Sequence, residues 1–190
     1  MHHDHTTLPV NRRHLLITGL AGTVSTLGLT GCAGPSIEDY AAELPALDLK
    51  KYFNGMVDAW GIFTDRNGKV VKRFTVEMKC AWDGNQGVLD EDFLYADGTR
   101  EKRIWKLTDR GNGEYSGTAG DVVGLAVGAT QGNAFNWRYT LALPVDGRIW
   151  HVQMDDWMYL MNDRVMLNKA RMTKWGFHLG DVTLSFTRRA

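Results

Sequence analysis

From residue 56 to the C-terminus, apolar and polar residues alternate with a period of two. Between Val70 and Trp82, the residues Val70, Phe74, Val76, Met78, Cys80 and Trp82 fall in one phase. Val71, Arg73, Thr75, Glu77 and Lys79 fall in the other, and Lys72 is the exception in the apolar phase. Successive side chains of a strand point to opposite faces, so this alternation predicts a half-buried strand. Trp137, Tyr139, Leu141 and Leu143 repeat it against Asn136, Arg138, Thr140 and Ala142. Val182, Leu184 and Phe186 repeat it against Asp181, Thr183, Ser185 and Thr187.

Turn signals separate these runs at short intervals: Asp65-Arg66-Asn67-Gly68, Asp83-Gly84-Asn85, Asp97-Gly98, Arg110-Gly111-Asn112-Gly113, Asp146-Gly147 and Asn162-Asp163. Asp-Gly and Asn-Gly pairs supply the positive φ of tight hairpins. The pattern predicts strands over 56–64, 69–80, 87–95, 100–107, 114–127, 134–143, 148–158, 164–173 and 181–188, with no long amphipathic helix. A nearly unbroken meander of hairpins hides its edges best by closing on itself. The expected fold is therefore all-β, an antiparallel up-and-down β-barrel of about 8–10 strands filling residues 47–190. Within it, Gly120, Gly124, Gly128 and Gly132 recur at every fourth position. Two readings are open: a strand that bends or approaches another backbone closely, or a low-bulk wall that leaves room for a ligand.

The N-terminal 31 residues break this pattern. Arg12 and Arg13 precede a run from His14 to Gly31 without a formal charge, and the run ends in Leu29-Thr30-Gly31-Cys32. A basic region, an apolar region and a small-residue cleavage site make a signal peptide. The last four residues resemble a lipobox, in which Cys32 becomes the acylated N-terminus. Asn11-Arg12-Arg13-His14-Leu15-Leu16 resembles a twin-arginine export signal. Gly19, Gly22, Gly28 and Gly31 make a poor hydrocarbon-facing helix, so cleavage is expected rather than a permanent span. Residues 32–46, with Gly34, Pro35 and Pro45, read as a lipidated tether. Ala33 stands where an inner-membrane retention signal would carry Asp, so the expected address is the outer membrane, facing the periplasm.

Composition then narrows the function. Lys and Arg total 22, matching 22 Asp and Glu. Loss of Arg12, Arg13 and Asp4 with the leader leaves the chain within one charge of neutral, which argues against a nucleic-acid partner held by phosphate neutralisation. Cys80 is the one cysteine left after lipidation, so no internal disulfide forms. Together with His151 and His178 it is too small a set for a zinc site without carboxylates, and no metal or other cofactor is expected. All seven tryptophans lie beyond the leader.

Leu47-Asp48-Leu49, Tyr52-Phe53-Asn54-Gly55 and Ala59-Trp60-Gly61-Ile62-Phe63 resemble an uncharacterised bacterial lipoprotein family, domain of unknown function 3833. The resemblance continues through Gly132-Asn133-Ala134, Asp155-Asp156-Trp157-Met158-Tyr159 and Gly180-Asp181-Val182-Thr183-Leu184. It covers nearly the whole chain after the leader and implies a lipocalin-like fold, with no established reaction. True lipocalins carry Gly-x-Trp in the first strand and pack a late arginine on that tryptophan. Here Trp60 takes the tryptophan's place, Asp58 stands for the glycine and Arg188 is the arginine counterpart. This implies a Trp60–Arg188 contact worth about 0.5–2 kcal/mol.

Candidate chemistry is sparse. Asp155 and Asp156 are adjacent on a strand and so face opposite ways, which prevents a carboxylate dyad. One of them turned inward could do acid–base work with His151 or Tyr159; alternatively, one caps a turn and the other pairs with Arg138 or Arg171. Ser116 and Ser185 lack a nucleophile-elbow context, and Cys80 reads as inert core. The aromatic inventory is the positive signal. Trp60, Phe74, Trp82, Phe93, Trp105, Trp137, Tyr139 and Trp157 are candidates to line a ligand cavity, as small barrels are near the size that holds one small molecule. The favoured function is a non-catalytic lipoprotein, held to a membrane by acyl chains, that binds or shuttles a fatty acid or other lipid. A lipid-modifying, isomerase-like enzyme and a structural interaction lipoprotein are the alternatives.

Overall fold

The computed structural model describes residues 34–189; the leader, the lipobox and Cys32 lie outside the described residues. Ten antiparallel strands form a closed barrel in simple up-and-down order. They are β1 (Gly55–Asp65), β2 (Val70–Asp83), β3 (Gln86–Tyr95), β4 (Arg100–Gly111), β5 (Glu114–Thr118), β6 (Val122–Gln131), β7 (Ala134–Val145), β8 (Arg148–Leu160), β9 (Val165–Lys174) and β10 (Phe177–Arg188). Each strand pairs with its sequence neighbours, and β1 closes on β10 with Val57 opposite Arg188 and Phe63 opposite Val182.

The period-two phase decides which side chains enter the barrel. On β2, Val76, Met78 and Cys80 are buried while Thr75, Glu77 and Lys79 are exposed. On β8, Val152, Met154, Asp156 and Leu160 are buried from the same inward phase. The turns behave as their sequences require. Asp146 (φ 49) and Gly147 (φ 74) both adopt left-handed backbone, as a type I′ hairpin demands. Asp65 Oδ1 accepts from the amides of Asn67 and Lys69, closing the first hairpin.

Ten strands fall within the expected 8–10, one more than the nine spans read from the sequence, because the stretch 114–127 is two. Gly120 and Asp121 form a turn, with Val122 N–H donating to Ala119 O at 3.1 Å, so the chain reverses at the first glycine of the spaced segment. Gly124 (φ 72) lies where the β6–β7 register shifts between Val123 and Val127, while Gly128 and Gly132 serve close approach. A side chain at Gly128 would collide with Asn136 O and the Trp137 ring, and one at Gly132 (φ 49) would collide with Tyr40 O. Bending and backbone proximity, rather than a hollow wall, account for the glycine spacing.

A four-residue helix, α1 (Leu49–Tyr52), plugs one end of the barrel. Asp48 caps it, accepting from Lys51 N–H at 3.0 Å. Leu49, Tyr52 and Phe53 are buried. Tyr52 donates to Arg164 O (3.0 Å) and Phe186 O (3.2 Å), and Trp82 Nε1 donates to Phe53 O (2.9 Å). Residues 35–46, expected as a tether, lie along the outer wall. Tyr40 packs on Trp157 (5.5 Å between ring centroids) and Tyr159 (5.4 Å), and Leu47 N–H donates to Gly132 O (2.7 Å).

Candidate functional site

Above the α1 plug the inward side chains do not meet, leaving a cavity of about 990 Å³ that extends to the rim residues Lys72, Leu143 and Val145. Small-molecule sites span roughly 300–1,000 Å³, so this one is large. Phe74, Phe93, Trp105, Trp137 and Tyr139 line it. Trp105 meets Trp137 (5.6 Å) and Tyr139 (5.3 Å) edge-on, which fixes three rings as one wall. Met78, Met154, Met158 and Met172 supply much of the remaining apolar surface. Methionine is unbranched and polarisable, so such a wall adapts to the shape of its contents. Lys72, the exception in its strand, sits at the mouth with its ammonium 4.8 Å from the Tyr95 ring centroid.

Four strands also point polar groups into this space: Glu91 from β3, Arg103 from β4, Asp156 from β8 and Asn168 from β9. Arg103 is already engaged. Its Nε (2.9 Å) and Nη2 (2.6 Å) donate to Asp121 Oδ2 on the β5–β6 turn, and its guanidinium lies 5.4 Å from the Phe93 centroid. Glu91 is buried opposite Arg103 in the sheet register, and its carboxyl makes no hydrogen bond among the described residues. Asp156 is buried and accepts from Asn168 Nδ2. Asn168, only 2% exposed, also donates to Trp157 O at 3.4 Å, while its Oδ1 has no partner.

Burial pushes the Glu91 carboxyl up to about 7; Asp121 and Asp156 add to the rise, and Arg103 opposes it. Burial likewise pushes Asp156 to about 7, with Asp155 adding and the Asn168 hydrogen bond opposing. Each loses solvation that the cavity does not replace.

The other sequence candidates are dispersed. Trp60 is 52% exposed on the outer face, opposite Ser185. Trp82 is inward but belongs to the base, beside Phe53. Trp157 is in the outward phase and is buried by Tyr40, not by the barrel. These three tryptophans do not line the cavity. The Trp60–Arg188 contact is also absent. Arg188 pairs with the inward Val57, three residues from Trp60 and in the opposite phase, and its Nη1 donates to Asp163 O at 3.4 Å.

Asp155 and Asp156 face opposite ways, as their adjacency requires. Asp155 points outward, accepting from Asn136 Nδ2 (2.8 Å) and Arg138 Nε (3.2 Å). His151 is exposed on the outer wall. Tyr159 is on the outside too, its hydroxyl 3.2 Å from that of Tyr40. The three acid–base candidates therefore share no reaction site. Cys80 is buried and desolvation raises its thiol to about 12, so it carries no thiolate. Ser116 accepts from Arg110 Nε at 2.7 Å. Among the described residues no group of three or more His, Cys, Asp or Glu is arranged to hold a metal ion.

A family model described as "Protein of unknown function (DUF3833)" matches residues 26–188. The chain belongs to this family. The DUF3833 barrel also resembles solved structures of very different sequence. The S-type phycobiliprotein lyase CPES from Guillardia theta superposes with a TM-score of 0.56 at 6% identity, covering 82% of this chain and 99% of the lyase. That likeness places the DUF3833 chain in a lipocalin-like fold. EF1p2_mFAP2b bound to DFHBI aligns over 73% of this chain and 95% of its own at 9% identity, with a TM-score of 0.44, too distant to support an argument. No curated protein matches the DUF3833 chain significantly in sequence.

Proposed function

We propose that this protein binds a small molecule with a long apolar body inside its barrel. The carrying observation is the cavity itself: about 990 Å³ walled mostly by aromatic rings and methionines, open at the rim and sealed at the α1 end. A core meant only for stability would close around such side chains, because interiors pack at near-crystalline density and voids cost stability. The lyase neighbour adds a fold in common, not a ligand. The hollow interior also disfavours a purely structural role, and the dispersal of His151, Tyr159 and Asp156 removes the acid–base constellation that an isomerase would need.

The lipobox at Leu29–Cys32 and the arginines at 12 and 13 support the second half of the proposal. The protein works at a bacterial envelope, held by acyl chains on Cys32 at the outer membrane and facing the periplasm. Each buried methylene contributes about 0.8 kcal/mol, so more than one chain holds the protein durably. Intact-mass measurement on protein extracted gently from envelopes tests both halves. The expected result is an acylated Cys32 N-terminus together with a co-purifying apolar compound released on denaturation. An unprocessed N-terminus refutes the anchor, and an empty barrel that takes up no apolar probe refutes the binding.

A further inference from the structure

The polar groups of the cavity say which kind of head the apolar ligand carries. Four carboxyls line this space, and apart from Glu101, which lies with Lys72 and Lys102 towards the rim, the interior holds three, from Glu91, Asp121 and Asp156, against one buried guanidinium, that of Arg103. Asp121 takes Nε–H and one Nη2–H of that guanidinium and balances its charge, so the three N–H groups that remain carry no uncompensated positive charge for an anionic ligand. What remains unpaired is acceptor capacity. The Glu91 carboxyl has no hydrogen bond, and Asn168 Oδ1, deeply buried beside Asp156, has no partner. A buried acceptor without a donor is a cost that a ligand can remove. A ligand carboxylate would instead add a fourth carboxyl to a desolvated interior that holds one guanidinium.

From this arrangement we infer that the ligand is a long-chain amphiphile whose head is a hydrogen-bond donor, a primary ammonium being the best fit, received by Glu91, Asp156 and Asn168. The inference rests on the apolar-ligand reading above and narrows it, turning away from fatty acids. An ammonium offers three donors and no acceptor, which matches three acceptors presented from β3, β8 and β9. The apolar chain then runs along the Trp105–Trp137 wall and the methionines towards the rim.

Quenching of the cavity tryptophans, titrated at neutral pH with dodecylamine, dodecanol and dodecanoic acid, tests this on the whole mature protein. The three probes share one chain and differ only in the head. Dodecylamine is expected to bind at least about tenfold more tightly than dodecanoic acid, with the alcohol between them. In the double variant Glu91→Gln/Asp156→Asn that preference is expected to fall below about threefold. An unchanged far-ultraviolet circular dichroism spectrum and a cooperative thermal transition show that the variant is folded. Equal or tighter binding of the acid by the unaltered protein overturns the inference and leaves the apolar cavity standing. Failure of all three probes overturns the cavity reading and this one together. An undiminished preference in the double variant overturns the assignment to these carboxyls.

Discussion

The base of the barrel and its middle are built from the same kinds of residue and end in opposite states. At the base, Leu49, Tyr52, Phe53 and Trp82 fill the available space, and the polar atoms that they bury find partners in Arg164 O, Phe186 O and Phe53 O. In the middle, Trp105, Trp137 and Tyr139 are just as aromatic but border free volume, where the Glu91 carboxyl makes no hydrogen bond among the described residues and Asn168 Oδ1 is buried without a partner. The contrast separates two meanings of burial. A satisfied, filled region contributes stability; an unsatisfied, hollow one holds affinity in reserve. The outer wall supplies a third case, since Trp157 is buried under Tyr40, a residue of the same chain.

The sharpest way to break the comparison is at the base. Phe53→Ala opens a void where Phe186 packs edge-on at 5.7 Å, and the expected loss of stability is about 3–5 kcal/mol by urea denaturation. A loss below about 1 kcal/mol would show the plug to be ornamental. The next effect belongs to the middle and depends on pH. Glu91 and Asp156 have folded pKa values near 7, above their values of roughly 4 in the unfolded chain. Below pH about 4 both states are protonated and the full stability is present. As pH rises towards 7 the unfolded chain ionises first, so the stability of the empty protein falls, by roughly 4 kcal/mol per carboxyl at 1.36 kcal/mol per displaced unit. Denaturant midpoints measured between pH 4 and 8 should show this decline, and Glu91→Gln with Asp156→Asn should flatten it. A stability that rises over that interval would contradict the burial of both groups. The smallest effect is expected outside: Trp60→Ala on the exposed wall should change stability by less than about 0.5 kcal/mol.

The strands were legible because alternation is a local property that the barrel preserves. Val76, Met78 and Cys80 face inward as their phase requires, and the Asp146-Gly147 hairpin adopts the left-handed backbone that its residues favour. The strand count missed one because Gly120-Asp121 turns without a strong Asn-Gly or Asp-Gly signal. Selecting aromatic residues by type rather than by phase misplaced Trp60 and Trp157, both out of phase with the inward residues Val57, Ala59, Met154 and Asp156. The same rule would have found the missed polar groups. Glu91 sits in phase with Leu89 and Phe93, Arg103 with Trp105 and Leu107, and Asn168 with Met166 and Ala170. A charge in the apolar phase of a strand is the local trace of a site. What the sequence does not carry is the partnering. Nothing near Arg103 says that Asp121 will claim it from a distant turn, and nothing near Trp157 says that Tyr40 will cover it.

Among the described residues, α1 stoppers one end of the barrel and the cavity reaches the rim at the other, beside Lys72 and Tyr95. On the binding role proposed above, a ligand would enter and leave past the same rim residues, Lys72 and Tyr95. If that role holds, the groups at the rim govern both arrival and departure, and a change at Lys72 should alter the two rates together.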